Sequence, residues 1–401
     1  MPRRSLGPVA MTDGGQTGGP SAVFNPPLPL DVRALRAEAV EIAAGIDWQA
    51  DDCRALAWSR LGRAGLLAPT APVALGGRAL DPLSQLVVVE ALARSSPGVA
   101  VSYLVHSQAC ADQIARAGDP DQQRHWLPRL ADGSTVGGLA ITEAEAGSDA
   151  FAMIATARHQ GPGYRLDGEK VWITNAPAAD LLVVWTQAPE LDQPPSLAAF
   201  VAEAGSKGWS VSNRAAMGLD GCPVGDLHLH NYWVPAQNRL ASRGQARAML
   251  AEGLVRERFI AVGAVLGLHQ ACVDIAINHA NNRRQFGRAL LEFQLVQARL
   301  ADMIGRLNAA RAWAYALGSQ IRQAPPTAAH TAGLLGFASE GAFSAASELV
   351  LLSGAAGYDR ASKAAGLARD SHFFRIGFGA TDIRRLLVGR SLLAQQSCGG
   401  E

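Results

Sequence analysis

Four segments of the chain carry most of the side chains whose types and spacing could support chemistry. They combine carboxylates, which can accept a proton, with hydroxyl and aromatic groups and with Arg283, whose guanidinium can bind a pyrophosphate through paired hydrogen bonds. Taken alone, each also has an ordinary role: Trp172 as a core residue of an alternating strand, Arg283 as part of a solvated helix face. The segments, in chain order, are residues 140–149 (AITEAEAGSD), 166–175 (LDGEKVWITN), 283–287 (RRQFG) with Phe293-Gln294, and 367–370 (LARD) with 383–387 (IRRLL).

Several common catalytic and binding motifs are absent from the sequence. There is no P-loop, HExxH or GxSxG pattern, and the glycines of residues 354–357 (GAAG) do not follow a predicted strand, so a Rossmann-type dinucleotide site is excluded. The five cysteines are scattered and lack CxxC spacing, which argues against a disulfide framework or a metal site. Unpaired cysteines favour a reducing, cytoplasmic location.

The composition indicates a compact globular protein. Hydrophobic residues make up 48% of the 401 residues and charged residues only 18%, which is too apolar for a disordered chain. The net charge of +1 gives no reason to expect nucleic acid or an anionic membrane as a partner. No uninterrupted apolar run of about 18 residues occurs, so no transmembrane helix is expected. Residues 1–30 are predicted to be a flexible lead-in without the apolar core of a secretory signal.

The elements that must position these segments change in type twice along the chain. Residues 31–134 have a helical pattern, and Asp119-Pro120 predicts the N-cap and first position of a helix. Residues 135–242 contain short apolar runs at strand spacing, with Asp167-Gly168 predicted as a hairpin turn. This part is expected to form an antiparallel barrel or sandwich.

Residues 243–401 return to a helical period. Apolar residues from Phe286 to Leu307 recur every three or four positions and predict one stripe of a long amphipathic helix. Residues 323–326 (QAPP) should interrupt the helices, residues 354–357 should form a loop, and a last helix should begin near Thr381. The predicted class is α+β: an N-terminal helical domain, a central antiparallel β domain and a C-terminal four-helix bundle.

The four segments, in this order and within this alternation of helices and strands, resemble the acyl-CoA dehydrogenase family over residues 30 to 396. The resemblance implies FAD, an acyl thioester carried by CoA or an acyl-carrier protein, an electron-transfer flavoprotein or other acceptor, and a homotetramer or homodimer. It places Trp172 and Thr174 beside the isoalloxazine, where positioned donors stabilise developing negative charge. The cofactor-binding residues it implies are Leu139, Ile141, Thr142, Gly147, Ser148, Trp172, Thr174, Gln294, Leu352, Gly354 and Ala355, together with Arg283, Gln285 and Phe286, which would reach the FAD of a neighbouring subunit.

The family's usual catalytic base is missing from its usual position. That base is a glutamate before a glycine in the final loop, and Phe378, which cannot accept a proton, precedes Gly379 here. Some members instead supply the glutamate from the first long C-terminal helix, immediately before an arginine. Glu257 followed by Arg258 matches that position, whereas Asp382 is a weaker candidate because it falls at a helix start. The substrate-binding residues implied are Ser148, Arg258, Phe378 and Gly379.

The resemblance therefore implies dehydrogenation of an acyl thioester, with Glu257 removing the proton and flavin N5 receiving the hydride. Val255, Leu351, Ala355 and Ala380 depart from the residues that the family often has, which indicates a specialised branch, such as one of secondary metabolism. Two alternatives stay open. One is a flavin-dependent monooxygenase on the same fold, and the other is a catalytically silent flavin-binding subunit.

Overall fold

The N-terminal third of the chain is helical, as the sequence predicted. A computed structural model describes residues 22–48, 50, 52–189, 196–241 and 244–398; most of the predicted lead-in, residues 1–21, lies outside them. The helices are α1 (Leu30–Ala44), α2 (Cys53–Arg63), α3 (Pro82–Ser95), α4 (Pro97–Leu104), α5 (Asp112–Ala117) and α6 (Pro120–Asp132), with a π-helical segment at Val105–Ala111 between α4 and α5.

The predicted start of α6 is confirmed. The Asp119 carboxylate accepts hydrogen bonds from the backbone N–H groups of Asp121 (2.8 Å) and Gln122 (2.9 Å). The Gln122 side chain accepts in return from the Asp119 N–H at 2.8 Å. This reciprocal capping box satisfies donors that have no partner inside the helix, and Pro120 has no N–H to satisfy.

The middle of the chain forms a largely antiparallel sheet. Its strands are β1 (Gly137–Ala140), β2 (Thr156–Gln160), β3 (Gly163–Thr174), β4 (Leu181–Gln187), β5 (Leu197–Glu203), β6 (Trp209–Asn213), β7 (Val224–Pro235) and β8 (Arg239–Leu240). The order across the sheet is β6-β7-β3-β2-β4-β5-β8. The only parallel pairings among the described strands are those of β4 with β1 and with the end of β2.

The predicted hairpin at Asp167-Gly168 is wrong. Both residues lie inside β3, at a register shift where β3 pairs with β7. The chain reverses before β3 instead. Residues 161–162 connect β2 to β3, and Gly161 has a φ of 57°. Because β7 is long enough to pair along nearly all of β3, Asp167 and Gly168 form a β-bulge within the strand instead of a turn.

The C-terminal part is again helical, with one small hairpin. Its elements are α7 (Ala246–Asn282), β9 (Arg284–Gln285), β10 (Arg288–Ala289), α8 (Gln294–Ile321), α9 (Ala328–Ser353), α10 (Ala355–Tyr358), α11 (Lys363–Ile376) and α12 (Thr381–Cys398). The break at residues 323–326 and the helix start at Thr381 are confirmed. Helix α11 was not predicted.

Two C-terminal predictions are wrong in detail. The apolar stripe is not one helix, because Phe286 and Gly287 have φ angles of 51° and 82° and form the two-residue turn between β9 and β10. Such a turn needs positive φ at both central positions. Residues 355–358 form the short helix α10 rather than a loop, and the reversal is confined to Gly354, with a φ of 58°.

Helix α7 is the central element of the helical core. A Cβ atom at Gly263 would lie 2.3 Å from the Leu86 carbonyl oxygen, and one at Gly267 would lie 2.4 Å from that of Glu90. The two glycines therefore allow α3 to approach α7 closely. By length and composition α7 and α9 are apolar enough to span a membrane, but 83% of the apolar window of α7 is buried inside the protein.

Candidate active site

Glu257 lies on α7, next to the end of the chain's last loop. Its carboxylate is partly buried and forms no hydrogen bond or salt bridge with the residues that the structure describes. Burial raises the pKa of Glu257 to about 7, against the opposing effect of the Arg258 charge. A carboxylate with a pKa near neutrality has the proton affinity that a general base needs at physiological pH.

Arg258 joins α7 to the loop that contains Phe378. Its Nε donates a hydrogen bond to the Phe378 carbonyl oxygen at 3.2 Å. A Cβ atom at Gly379 would lie 3.4 Å from the same nitrogen. The structure thus brings three predicted substrate-binding residues, Arg258, Phe378 and Gly379, into contact beside Glu257.

Asp382 lies apart from this group. It is in the first turn of α12, its side chain is 87% exposed, and it pairs with Arg385 at 3.2 Å. Its carboxylate therefore faces water and has a cationic partner. Glu257 is therefore the better placed of the two candidate bases.

The segment after β1 is fixed to β3 by a buried ion pair. Lys170 Nζ donates to the Ile141 carbonyl oxygen at 3.0 Å and to Glu143 Oε1 at 2.7 Å. Both side chains are buried, and the Glu143 carboxylate also accepts from the N–H groups of Ile154 and Ala155. Burial lowers the pKa of Lys170, and Glu143 opposes that effect.

This ion pair was not predicted from the sequence, although both residues lie in quoted segments. It places Ile141 and Thr142 alongside β3, and the Val171 N–H donates to the Thr142 carbonyl oxygen at 2.9 Å. The backbone carrying two predicted cofactor-binding residues is therefore held next to Trp172.

Trp172 has a strained backbone and an exposed ring. Its φ is 58°, it lies at a register shift between β3 and β7, and 52% of the residue is exposed. Its N–H donates to Asp226 Oδ1 at 3.0 Å instead of to the neighbouring strand. Asp226 also pairs with Arg214, whose guanidinium carbon lies 4.6 Å from the centroid of the Trp172 ring. An exposed aromatic ring held in this way is available to pack against a planar ligand.

The other predicted residues on this side surround the end of β1. Thr174 is close enough to Cys222 for a side-chain hydrogen bond, and Leu139 packs against the main hydrophobic core. Gly147 and Ser148 lie exposed on the loop that follows, and a Cβ atom at Gly147 would meet no other described atom within 4 Å. Gly147 therefore borders open space on this loop.

A second group of predicted residues lies far from Glu257 within the same chain. Positions 257 and 282 of α7 are 25 residues apart, which corresponds to roughly 38 Å of helix. Beyond that end lie Arg283, Gln285 and Phe286, and Phe286 is 93% exposed at the hairpin tip. Nine residues between positions 285 and 296, Gln294 among them, line an open cleft of about 600 Å³.

Leu352, Gly354 and Ala355 belong to this distant group. The His279 ring near the end of α7 is within hydrogen-bonding reach of the Leu352 backbone. Gly354 and Ala355 follow at the exposed junction of α9 and α10. The predicted cofactor-binding residues of one chain therefore fall in two groups, one in the β domain and one near the C-terminal end of α7.

Comparison with known proteins places the chain in a family. Acyl-CoA dehydrogenase N-terminal, middle and C-terminal domain models match residues 31–134, 138–232 and 243–393. The chain is similar to the mitochondrial isovaleryl-CoA dehydrogenase of Oryza sativa subsp. japonica, at 34% identity over 84% of this chain and 83% of that protein. The chain belongs to the acyl-CoA dehydrogenase family. The predicted resemblance and fold class are confirmed.

Solved structures of the acyl-CoA dehydrogenase fold agree with this. The FAD complex of PigA superposes with a TM-score of 0.85 at 25% identity, covering 92% of this chain and 99% of that one. The prolyl acyl carrier protein oxidase AnaB superposes with a TM-score of 0.84 at 25% identity, covering 91% and 100%. This acyl-CoA dehydrogenase family member is a flavin oxidoreductase acting on CH–CH bonds, and its cofactor is FAD.

The residues present fit that cofactor. Trp172 offers an exposed ring for the isoalloxazine, and Thr142 and Thr174 lie on the adjoining backbone with hydroxyl groups that can donate to it. Arg283 offers paired donors that suit a pyrophosphate, and Gln285 also has donor groups, so both could bind the FAD of a neighbouring subunit. The individual roles of these residues stay predictions.

Proposed function

We propose that this protein dehydrogenates an acyl thioester at the α and β carbons, with Glu257 as the catalytic base. The supporting observation is the environment of Glu257: partly buried, without a hydrogen-bond partner among the described residues, and with a pKa raised to about 7. A carboxylate kept only for structure would be expected to pair with a cation or to face water.

The proposed chemistry balances with two hydrogens leaving the substrate. The Glu257 carboxylate accepts the proton from the α carbon, the β hydrogen leaves as hydride, and the product is an α,β-unsaturated thioester. Bound FAD supplies the two-electron acceptor for that hydride. Glu257 then loses its proton to solvent, and an electron-transfer flavoprotein or another acceptor takes up the electrons.

Phe378 is proposed to line the acyl pocket instead of acting as a base. Its carbonyl is bound by Arg258, the residue that follows the base, so its ring belongs to the same part of the site. The acyl group is proposed to be small, as in the isovaleryl-CoA dehydrogenase that the chain resembles, and its carrier to be CoA or an acyl-carrier protein.

The active protein is proposed to be a homodimer or homotetramer. Of the predicted cofactor-binding residues, Arg283, Gln285 and Phe286 lie beyond the C-terminal end of α7, whereas Trp172 and Thr174 lie in the β domain, and Phe286 is exposed beside an open cleft. A second subunit placing its hairpin tip on the FAD would unite them. We expect FAD occupancy and subunit association to be lost together when either is disturbed.

Anaerobic flavin bleaching with short acyl-CoA and acyl-carrier thioesters tests the proposed reaction. The wild type should bleach and Glu257→Gln should bleach roughly 10²- to 10⁴-fold more slowly. Glu252→Gln is the matched control, because Glu252 lies on the same helix with its side chain 68% exposed. Equal bleaching by Glu257→Gln and wild type would exclude Glu257 as base. Oxygenated product formed only with NADH or a reductase would instead support the monooxygenase alternative.

A further inference from the structure

The loop between α11 and α12 holds Phe378 in an unfavourable backbone conformation. Phe378 has a φ of 58°, in the left-handed region that bulky residues rarely adopt. Its neighbour Gly379 has a φ of 91°, which costs a glycine little. A residue held in this way keeps its conformation only where its surroundings enforce it.

Two arginines from different helices bind consecutive carbonyl groups of this loop. Arg384 Nη2, from α12, donates to the Gly377 carbonyl oxygen at 2.5 Å. Arg258 Nε, from α7, donates to the Phe378 carbonyl oxygen at 3.2 Å. Arg384 is in turn fixed to α9, since its Nη1 donates to Ser339 Oγ at 3.1 Å. The two guanidinium groups fix the peptide on each side of the Phe378 Cα.

This arrangement buries two positive charges that have no ion-pair partner among the described residues, although the Glu257 and Glu340 charges act on them from further away. Arg384 is 1% exposed and Arg258 is 9% exposed, and neither forms a salt bridge with the described residues. Burial, together with the nearby charge of Arg258, lowers the pKa of Arg384 to about 10, against the opposing effect of Glu340. Burying two like charges that are bound mainly to neutral acceptors lowers the free energy of unfolding. Their presence at this loop is therefore poorly explained by stability alone.

The Phe378 ring is also held in place. It packs edge to face against Phe373, with the ring centroids 5.6 Å apart and the planes at 90°. Gly377 makes this possible, because a Cβ atom there would lie 2.6 Å from Phe373 Cζ. The ring is therefore packed against the core, on the same residue whose carbonyl Arg258 binds.

We propose that Arg384 is a positioning residue which, together with Arg258, fixes Phe378 as a rigid wall that limits the length of the acyl group. We call Arg258 and Arg384 the arginine clamp. The inference rests on the proposed acyl-thioester reaction and adds to it a determinant of specificity. Loss of the clamp should let the loop relax and Phe378 move, so that longer acyl groups are accepted.

The first test compares kcat/KM for octanoyl-CoA with that for butyryl-CoA. We expect Phe378→Gly and Arg384→Met each to raise the octanoyl-to-butyryl ratio roughly tenfold or more, the scale on which a hydrophobic pocket discriminates added methylene groups. Arg385→Met is the matched control, because Arg385 is the adjacent residue on the exposed face of α12 and should leave the ratio unchanged. A ratio that Arg384→Met leaves at the wild-type value would overturn the proposal. If Arg384→Met does not fold, Arg384→Lys replaces it, because lysine keeps the charge but loses the planar guanidinium that spans two acceptors. An octanoyl-to-butyryl ratio at the wild-type value in that variant would likewise overturn the proposal.

The second test needs no turnover. Urea unfolding of the FAD-bound wild type, Arg384→Met, Phe378→Gly and the double variant forms a double-mutant cycle. The fall in urea midpoint caused by Arg384→Met should be smaller in the Phe378→Gly background, because glycine needs no clamp to hold a positive φ. Additive shifts would contradict the clamp. If no variant, including wild type, bleaches with any thioester, the proposed reaction fails while this cycle still tests the clamp.

Discussion

Lys170 Nζ lies 2.7 Å from Glu143 Oε1 in the interior of the β domain, with 0% and 6% of the two side chains exposed. The same ammonium group binds the Ile141 carbonyl oxygen. This pair therefore connects β3 to the segment that carries the predicted flavin-contacting residues.

Removing one member of this pair should be far more damaging than removing both. Lys170→Met leaves the Glu143 carboxylate buried without its counter-ion, which we expect to cost roughly 3 to 5 kcal/mol of unfolding free energy and to weaken FAD binding. The double variant Lys170→Met with Glu143→Gln should recover part of the loss. Urea denaturation measures both, with Lys207→Met as an exposed-lysine control. A Lys170→Met protein as stable as the control would show that the pair does not hold this segment.

The raised pKa of Glu257 predicts a pH-dependent stability difference. Because the folded-state pKa is above the ordinary value of 4.5, Glu257 contributes stability that is fully present below pH 4.5 and is lost as pH rises through about 7. Glu257→Gln should therefore match wild type near pH 4.5 and be more stable above pH 7, by roughly 1 to 3 kcal/mol, since one pKa unit is about 1.4 kcal/mol. Denaturation of substrate-free protein across this range measures the difference, and Glu252→Gln should show no such trend.

The contacts of Trp172 should affect FAD affinity more than stability. Asp226→Asn weakens both the acceptor of the Trp172 N–H and the partner of Arg214, which stacks on the indole ring. We expect Arg214→Met to weaken FAD binding roughly two- to fivefold, which corresponds to a cation–π contact at a partly exposed site, and Asp226→Asn to weaken it at least as much. Flavin fluorescence titration gives the dissociation constants. An FAD dissociation constant that is unchanged in both variants would contradict the placement of Trp172 in the flavin site.

The hairpin tip gives a prediction about assembly. Phe286→Ser should lower the amount of bound FAD and shift the protein toward smaller species in sedimentation equilibrium, because its exposed ring is expected to contact a neighbouring subunit. Leu295→Ser provides a comparison, since Leu295 is 81% exposed in the same cleft but was not predicted to contact FAD. A Phe286→Ser protein with full FAD content and unchanged mass would contradict the proposed contact.

What the sequence predicted correctly depended on local signals. The Asp119 cap, the break at residues 323–326 and the runs that became β4 and β7 are each determined by side chains within a few residues of one another. The same local signals were misleading where the partner was distant. Asp167-Gly168 has turn composition but lies opposite a long strand, and the spacing around Phe286 continues that of a helix although Phe286-Gly287 forms a turn.

The residues of the candidate site could be predicted only through the family resemblance, and their contacts could not be predicted at all. The pairing of Arg258 with Phe378 spans 120 positions of the chain, and that of Lys170 with Glu143 spans 27. No periodicity or spacing within either segment indicates such contacts. The positive φ angles of Trp172 and Phe378 could not be predicted either, because both residue types ordinarily adopt extended or helical conformations.

The pH dependence of anaerobic flavin bleaching by a short acyl-CoA tests the central claim most directly. If Glu257 is the base, the bleaching rate of the wild type should rise about tenfold per pH unit below a pKa near 7 and level off above it. Glu257→Gln should be slow at every pH and show no such rise. A wild-type rate that does not change between pH 5.5 and 8.5, or a Glu257→Gln profile that follows it, would contradict the assignment of Glu257 as the base.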